Sequence, residues 1–242
     1  PNDFTFNVSF RNTDKLNSFF RTGLLISEKS SLRGAVLADS TMWIKLESGS
    51  LSFRNNTFNN LVLDGAVSSR ILTADLASSS LSLLGQSELK GFSVNLDTKP
   101  DTFLLDIGWD NREKVLNRGR FLANGTFRLQ DNGNPLLKVE IEPTDVYIRN
   151  KLWKVNSSSI ALDSSSLKIN RFFINNDDHS YLVNGSVSED PYDTLQVEFR
   201  GIDISPMNNL VERKEQADRV PLGLKGELNG DILLTAIYRD LL

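Results

Sequence analysis

Cysteine is absent from the chain, which removes disulfide scaffolds and thiolate metal sites and leaves no stray thiol to suffer in an oxidising compartment. Histidine occurs once, as His179, so a zinc set built on paired imidazoles has no second member. No stretch approaches the ~20 consecutive apolar residues of a membrane-spanning helix. No signal-peptide pattern opens the sequence. Apolar residues make up only 39%, below the ~45–50% usual for soluble globular domains. That shortfall predicts a thin layer with one wet face rather than a thick closed core. Charge of one sign is also missing: 27 basic residues stand against 31 acidic ones, for a net charge of −4. The basic residues are scattered, which excludes a nucleic-acid footprint and makes nucleic acid an unexpected partner.

What the chain has in quantity is alternation. Phe4, Phe6, Val8 and Phe10 fall on one side of a strand, with Asp3, Thr5, Asn7 and Ser9 on the other. The same period of two recurs at Met42, Ile44 and Leu46, at Leu51 and Phe53, at Leu81 and Leu83, and at Phe92, Val94 and Leu96. Phe103, Leu105, Ile107 and Trp109 repeat it, as do Leu137, Val139 and Ile141; Ile160 and Leu162; Leu167 and Ile169. Leu195, Val197 and Phe199 continue it, and Ile232, Leu234, Ala236 and Tyr238 close the chain. The pattern predicts an all-β protein of antiparallel strands.

Turn signals separate the runs: Asn55–Asn56, Asp64–Gly65, Lys99–Pro100–Asp101, Asn124–Gly125, Asp131–Asn132–Gly133, Asn184–Gly185 and Asn229–Gly230. Asn-Gly and Asp-Gly pairs tolerate the positive φ of tight hairpins. Serine runs at 78–80, 157–159 and 164–166 suit strand edges and outer faces. Two segments break the rhythm and predict short helices. Near 13–21, Thr13 or Asp14 caps Leu16, Phe19 and Phe20 at helical spacing; near 206–213, Ser205 and Pro206 open the turn. Residues 51–68 and 167–188 share one order of features, strand to Asn-rich turn to apolar run to Asp/Asn-Gly. They suggest two related β-modules, 1–119 and 120–242. The chain starts at Pro1 without Met and stops inside a strand-like pattern, so we read it as a piece of a longer protein.

Catalytic constellations are weak. Asp177, Asp178 and His179 are sequence neighbours, and adjacent side chains rarely converge on one ion, so a turn between strands is the expectation. Residues 131–135 lack the length and distal Glu of a calcium loop. Asp106 with Asp110 makes a carboxylate pair that a chain this acidic produces by chance. Triplets of the Asn-x-Ser/Thr type begin at Asn7, Asn55, Asn124, Asn156 and Asn184, as expected of a chain rich in those residues. We therefore expect neither an enzyme nor a cofactor.

A more specific pattern lies at 181–234. Gly185, Val187 and Ser188 lead to Asp190, Pro191, Asp193 and Leu195. Ile202, Asp203, Ile204 and Ser205 follow, then Leu224, Gly226, Leu228 and Gly230. In this order they resemble the TamB-like branch of the AsmA-like envelope proteins. The resemblance implies an elongated, curled antiparallel sheet, a β-taco or half-pipe with an apolar groove. It implies residence in the periplasm of a Gram-negative bacterium, in a protein anchored to the inner membrane by an N-terminal helix. It further implies conduction of phospholipids between inner and outer membranes, and a link to outer-membrane protein assembly through a BamA/TamA-like barrel. On that reading Phe4, Phe6, Val8, Phe10, Phe103, Leu105, Ile107, Val139, Ile141, Leu195, Val197 and Phe199 would line the groove and touch acyl chains. The alternative puts the same side chains in the dry interior of a β-sandwich. That protein would be a secreted or surface binding or adhesion domain, recognising carbohydrate or protein with loop aromatics such as Trp153 and Tyr192.

Overall fold

The computed structural model describes residues 3–11, 13, 23–83, 87–131, 133–203 and 225–235. The chain is all-β, and among the described residues there is no helix. The strands are β1 (Phe4–Phe10), β2 (Leu24–Ile26), β3 (Ser30–Val36), β4 (Met42–Phe53), β5 (Asn56–Ser68), β6 (Ile71–Leu83), β7 (Ser87–Lys99), β8 (Thr102–Asp110) and β9 (Arg118–Leu129). They continue as β10 (Pro135–Ile141), β11 (Thr144–Ile148), β12 (Lys151–Val155), β13 (Ser158–Asp163), β14 (Ser166–Asn175), β15 (Ser180–Ser188), β16 (Thr194–Asp203) and β17 (Glu227–Thr235). The alternating runs read from the sequence lie in these strands as far as they are described. The expected helices, the second at 206–213 and the first at 13–21 save Thr13, lie outside the described residues.

Two compact units form. The first comprises Pro1–Arg128 and Thr144–Leu152, the second Leu129–Pro143 and Trp153–Leu242. A cut at 119–120 would divide β9, which runs unbroken through that point. In the first unit β3 to β9 form an antiparallel meander. β1 pairs with β3, and β11 meets β9 at Tyr147 and Arg118. β2 and β3 lie along the same edge of β4, β3 on Met42–Glu47 and β2 on Leu51–Phe53. In the second unit β13 to β17 pair in sequence, β10 pairs with β13 and β12 with β14.

Several turn expectations are overturned. Asp64–Gly65, Asn124–Gly125, Asn184–Gly185 and Asn229–Gly230 all lie inside strands. Arg54–Asn55, Pro100–Asp101 and the loop closed by Gly133 N–H donating to the Gln130 carbonyl do turn. The reason is a cross-strand partner. Gly34 faces Phe6, Gly65 faces Ile44, Gly125 faces Phe103, Gly119 faces Trp109 and Gly230 faces Phe199. A Cβ on Gly34, Gly119 or Gly125 would collide with the aromatic ring opposite. Each large side chain lies over the bare backbone of its neighbour, the pairing that rescues glycine within sheets. The serine expectation fails likewise at two places: Ser78 and Ser80 are buried within β6, and Ser158 is buried at the start of β13. Ser164 and Ser165 form an exposed bend, as expected.

Alternation is interrupted in step across β4 to β7. The apolar positions run 42, 44, 46 and then 51, 53 in β4; 67, 63, 61 and then 58 in β5; 72, 76 and then 81, 83 in β6; 96, 94, 92 and then 89 in β7. Each strand carries one extra residue at the same transverse line, where Gly49, Asn60, Ser79 and Gly91 stand, and no register shift follows. Asn60 and Gly91 have φ of +49° and +58°, the region that asparagine and glycine enter most readily. The extra residue keeps both halves of each strand presenting apolar groups to the same side, as Phe58 and Phe92, with ring centroids 6.1 Å apart, illustrate. A residue added with positive φ, as at Asn60 and Gly91, turns the chain locally as in a bulge, although here each added residue has a counterpart on the neighbouring strand. Gly91 is tightly specified, because a Cβ there would sit 2.7 Å from the Asp110 carbonyl oxygen.

Replacing Gly91 by alanine should destabilise the chain by more than about 1 kcal/mol, from positive φ and steric collision together. Replacing Gly133, which also has positive φ but open space around it, should cost less. Urea unfolding followed by far-UV circular dichroism compares the two.

Candidate functional site

The first unit presents a continuous apolar face. Val8 faces Leu32, Leu32 faces Leu46, and Leu46 faces Leu63. Leu63 then faces Leu76, Leu76 faces Val94, Val94 faces Ile107, and Ile107 faces Phe121. Neighbouring strands thus contribute an apolar side chain to a single row. The next row runs from Phe6 through Gly34, Ile44, Gly65, Ala74, Leu96 and Leu105 to Ala123. The seven sequence-predicted residues of this unit, Phe4, Phe6, Val8, Phe10, Phe103, Leu105 and Ile107, all fall on this face by alternation. They come from β1 and β8; the face between them is carried partly by alternating residues already read from the sequence, such as Ile44, Leu46, Val94 and Leu96, and partly by residues that were not. Leu32, Leu63 and Leu76 were missed because glycine, alanine and serine dilute the pattern around them. The repeating Leu61, Leu63, Gly65, Val67 and Leu72, Ala74, Leu76, Ser78 were the available signal.

Burial on this face is graded. At one end of the strands Phe4 is 60% exposed and Val36 and Met42 are each just over 40% exposed; Val8, two rows in on β1, is 42% exposed. The next rows are half-buried. At the transverse line Ser30, Ser48, Leu61 and Ser78 are buried, 1–5% exposed. On the opposite side of the same line Gly49, Asn60, Ser79 and Gly91 are exposed. The bend therefore shelters the apolar side and not the polar one. A β-sandwich interior buries the facing side chains of both sheets, whereas this unit leaves most of its apolar face half open.

The second unit repeats the arrangement. Val139 faces Ile160, Ile160 faces Ile169, Ile169 faces Gly185, Gly185 faces Leu195 and Leu195 faces Leu234. Val197 lies between Val183 and Ile232, and Phe199 between Tyr181 and Gly230. Ile141 faces the buried Ser158. The five predicted residues of this unit thus share one face. Leu195 differs from the others: it is only 9% exposed and packs with Val187, Ile169, Val183 and Leu234, so it is floor rather than open surface. Bulges between Ile169 and Phe172 and between Phe199 and Ile202 keep later apolar groups on the face. Asparagines from the facing strand satisfy the displaced backbone. Arg171 N–H donates to Asn184 Oδ1 (3.1 Å), and Gly201 N–H donates to Asn229 Oδ1 (2.7 Å).

The groups considered for catalysis are otherwise engaged. His179 lies just before β15 with Nδ1 3.1 Å from Asn176 Oδ1, its ring beside Trp153, while Asp177 and Asp178 form an exposed bend. Trp153 is a strand residue, half-buried beside Tyr181, and not a loop aromatic. Tyr192 does project from a turn, 89% exposed. Among the described residues no group of three or more acids and histidines is placed to hold a metal.

The other face of the first unit is cross-linked by charge, with Trp43, Val62 and Leu104 exposed among the polar groups. Arg33 and Lys45 pair with Glu47, Lys45 with Asp64, and Asn95 donates to Asp75. Arg120 grips Asp106 with two bonds, 2.9 and 2.6 Å. The Arg120 hydrogen bonds hold the Asp106 carboxyl below its ordinary value, against a smaller opposing effect of burial. A hollow of about 400 Å³ on this side is lined by Asp106, Asp110 and Asp145 together with Arg118 and Arg120, charges of both signs of which Asp106 and Arg120 pair directly.

A depressed folded-state pKa contributes stability that is present above the unfolded value, near 3.8, and fades as pH falls through the folded one. Arg120→Met should therefore lower stability slightly at pH 7, as expected of an exposed ion pair, and almost not at all well below pH 3.8. Denaturant midpoints of both proteins across that interval check the sign.

Comparison with protein-family models, with curated proteins and with solved structures gave no match for this chain.

Proposed function

We propose that this chain is a segment of an envelope protein that carries phospholipid acyl chains along open apolar faces, moving lipid between the inner and outer membranes of a Gram-negative bacterium. The observation that carries the reading is the unbroken row from Val8 to Phe121, apolar at every strand and half-exposed throughout. A packed core would bury such a row. Leaving it open wastes apolar burial unless something greasy covers it.

Burying one methylene is worth ~0.8 kcal/mol. A chain of ~14 methylenes gains at most about 11 kcal/mol on full burial, before the entropy of binding is subtracted. A half-open face supplies part of that. Strands stand ~4.8 Å apart, so a lipid moving along the row meets a similar surface at each step and finds no deep minimum. The groove thus favours passage over capture. Periplasmic residence, an inner-membrane anchor elsewhere in the protein and a BamA/TamA-like barrel partner in outer-membrane assembly complete the proposal, supported by the resemblance at 181–234.

The test is lipid recovery. Protein purified in mild detergent and examined by native mass spectrometry should carry phospholipid. Val197→Lys or Leu76→Lys places a charge on the apolar face, where its desolvation is costly, and should lower the bound fraction tenfold or more. Val139→Lys should do the same, with far-UV circular dichroism unchanged in each case. Recovery of the wild-type chain free of lipid, or equal recovery from the lysine variants, would overturn the proposal.

A further inference from the structure

The transverse line through β4 to β7 is held by side chains where ladder pairs lapse. Gly49 and Asn60, and Ser79 and Gly91, stand opposite one another as gaps in otherwise continuous strand pairing. Hydroxyls and amides take over. Ser78 Oγ donates within 2.7 Å of the Asn59 carbonyl and 2.8 Å of the Ser80 carbonyl. Ser79 Oγ donates to the Asn59 carbonyl (3.0 Å) and accepts from Asn60 Nδ2 (3.1 Å). Asn59 Nδ2 donates to Ser80 Oγ (3.0 Å). At the β4 side Ser48 Oγ donates to the Ser50 carbonyl (2.8 Å) and lies 2.7 Å from Ser30 Oγ. Ser50 N–H donates to Ser27 Oγ (2.9 Å).

Two of these bonds, Ser30–Ser48 and Ser78 to the Ser80 carbonyl, are buried, where a satisfied polar network is rigid and an unsatisfied one costly. Serine predominates on the sheltered side of the line, at Ser30, Ser48 and Ser78, beside the buried Leu61. We propose that Ser48, Ser78 and Ser79 are positioning residues that brace the bend and set the angle between the two halves of the apolar face of the first unit. The brace has no counterpart in an ordinary strand, where backbone pairing is continuous and the angle is left to twist. It concerns the protein alone and stands apart from the lipid proposal.

The chain has no cysteine, so paired spin labels can be introduced without background. Glu88 and Asp97 are exposed residues of β7 on either side of Gly91. Asn7 and Asp97 are exposed and lie on one side of the line, five strand spacings apart, about 24 Å. Double electron–electron resonance on Glu88→Cys with Asp97→Cys should give one narrow distance. Ser78→Ala should at least double its width. Ser79→Ala, which removes two crease bonds from an exposed position without opening a cavity, should broaden it too, and Ser79→Thr should restore it. The Asn7→Cys with Asp97→Cys distance should stay the same throughout. A broad distribution in the parent, an unchanged width in both alanine variants, or equal broadening of the second pair would each overturn the proposal.

Discussion

Side chains of a strand alternate, and one added residue sends everything beyond it to the other side of the sheet. Strands β4 to β7 are 12 or 13 residues long, and their apolar residues change parity midway. Had one strand alone carried an extra residue, its far half would have turned polar groups into the apolar side. All four carry it at one line, so register is kept and the face survives the bend. The graded burial, the sheltered serines and the exposed opposite side of the line all depend on that agreement between neighbours.

Stability in such a protein is distributed differently from that of a closed domain. Buried apolar residues among those described are few and small: Ala35, Leu61, Leu81, Ala123, Val146, Val155, Val187 and Leu195. What replaces a thick core is a long series of cross-strand pairs, each contributing about 0.2–1 kcal/mol. Rings laid over glycine form one kind, and charge pairs on the polar face another. The exposed ion pairs are individually weak. Their second effect is on solubility, because they keep one side of each strand hydrated while the other remains greasy.

A half-buried apolar surface is a compromise with functional content. On the proposed function, full burial would leave no place for a hydrocarbon tail, and full exposure would invite aggregation. The bend in the first unit sits between these limits, closing the face at Leu61 and Ser78 while leaving Phe4, Val8 and Met42 open. In the second unit Leu195 and Val187 supply the closed part, and Val197 and Phe199 remain half open.

The sequence by itself determined the strands and which residues share a side, because the period of the pleat is local and each side chain reports its own parity. Phe103, Leu105 and Ile107, or Leu195, Val197 and Phe199, needed no partner to be placed together. The meaning of Asn-Gly and of serine was decided only by tertiary structure. Asn184 and Asn229 serve bulges, Gly125 lies beneath Phe103, and Ser78 is buried at a bend, although each has the local signature of a turn or an outer face. Those roles depend on the residue across the ladder, dozens of positions away in some pairs, and no local pattern encodes the identity of that neighbour.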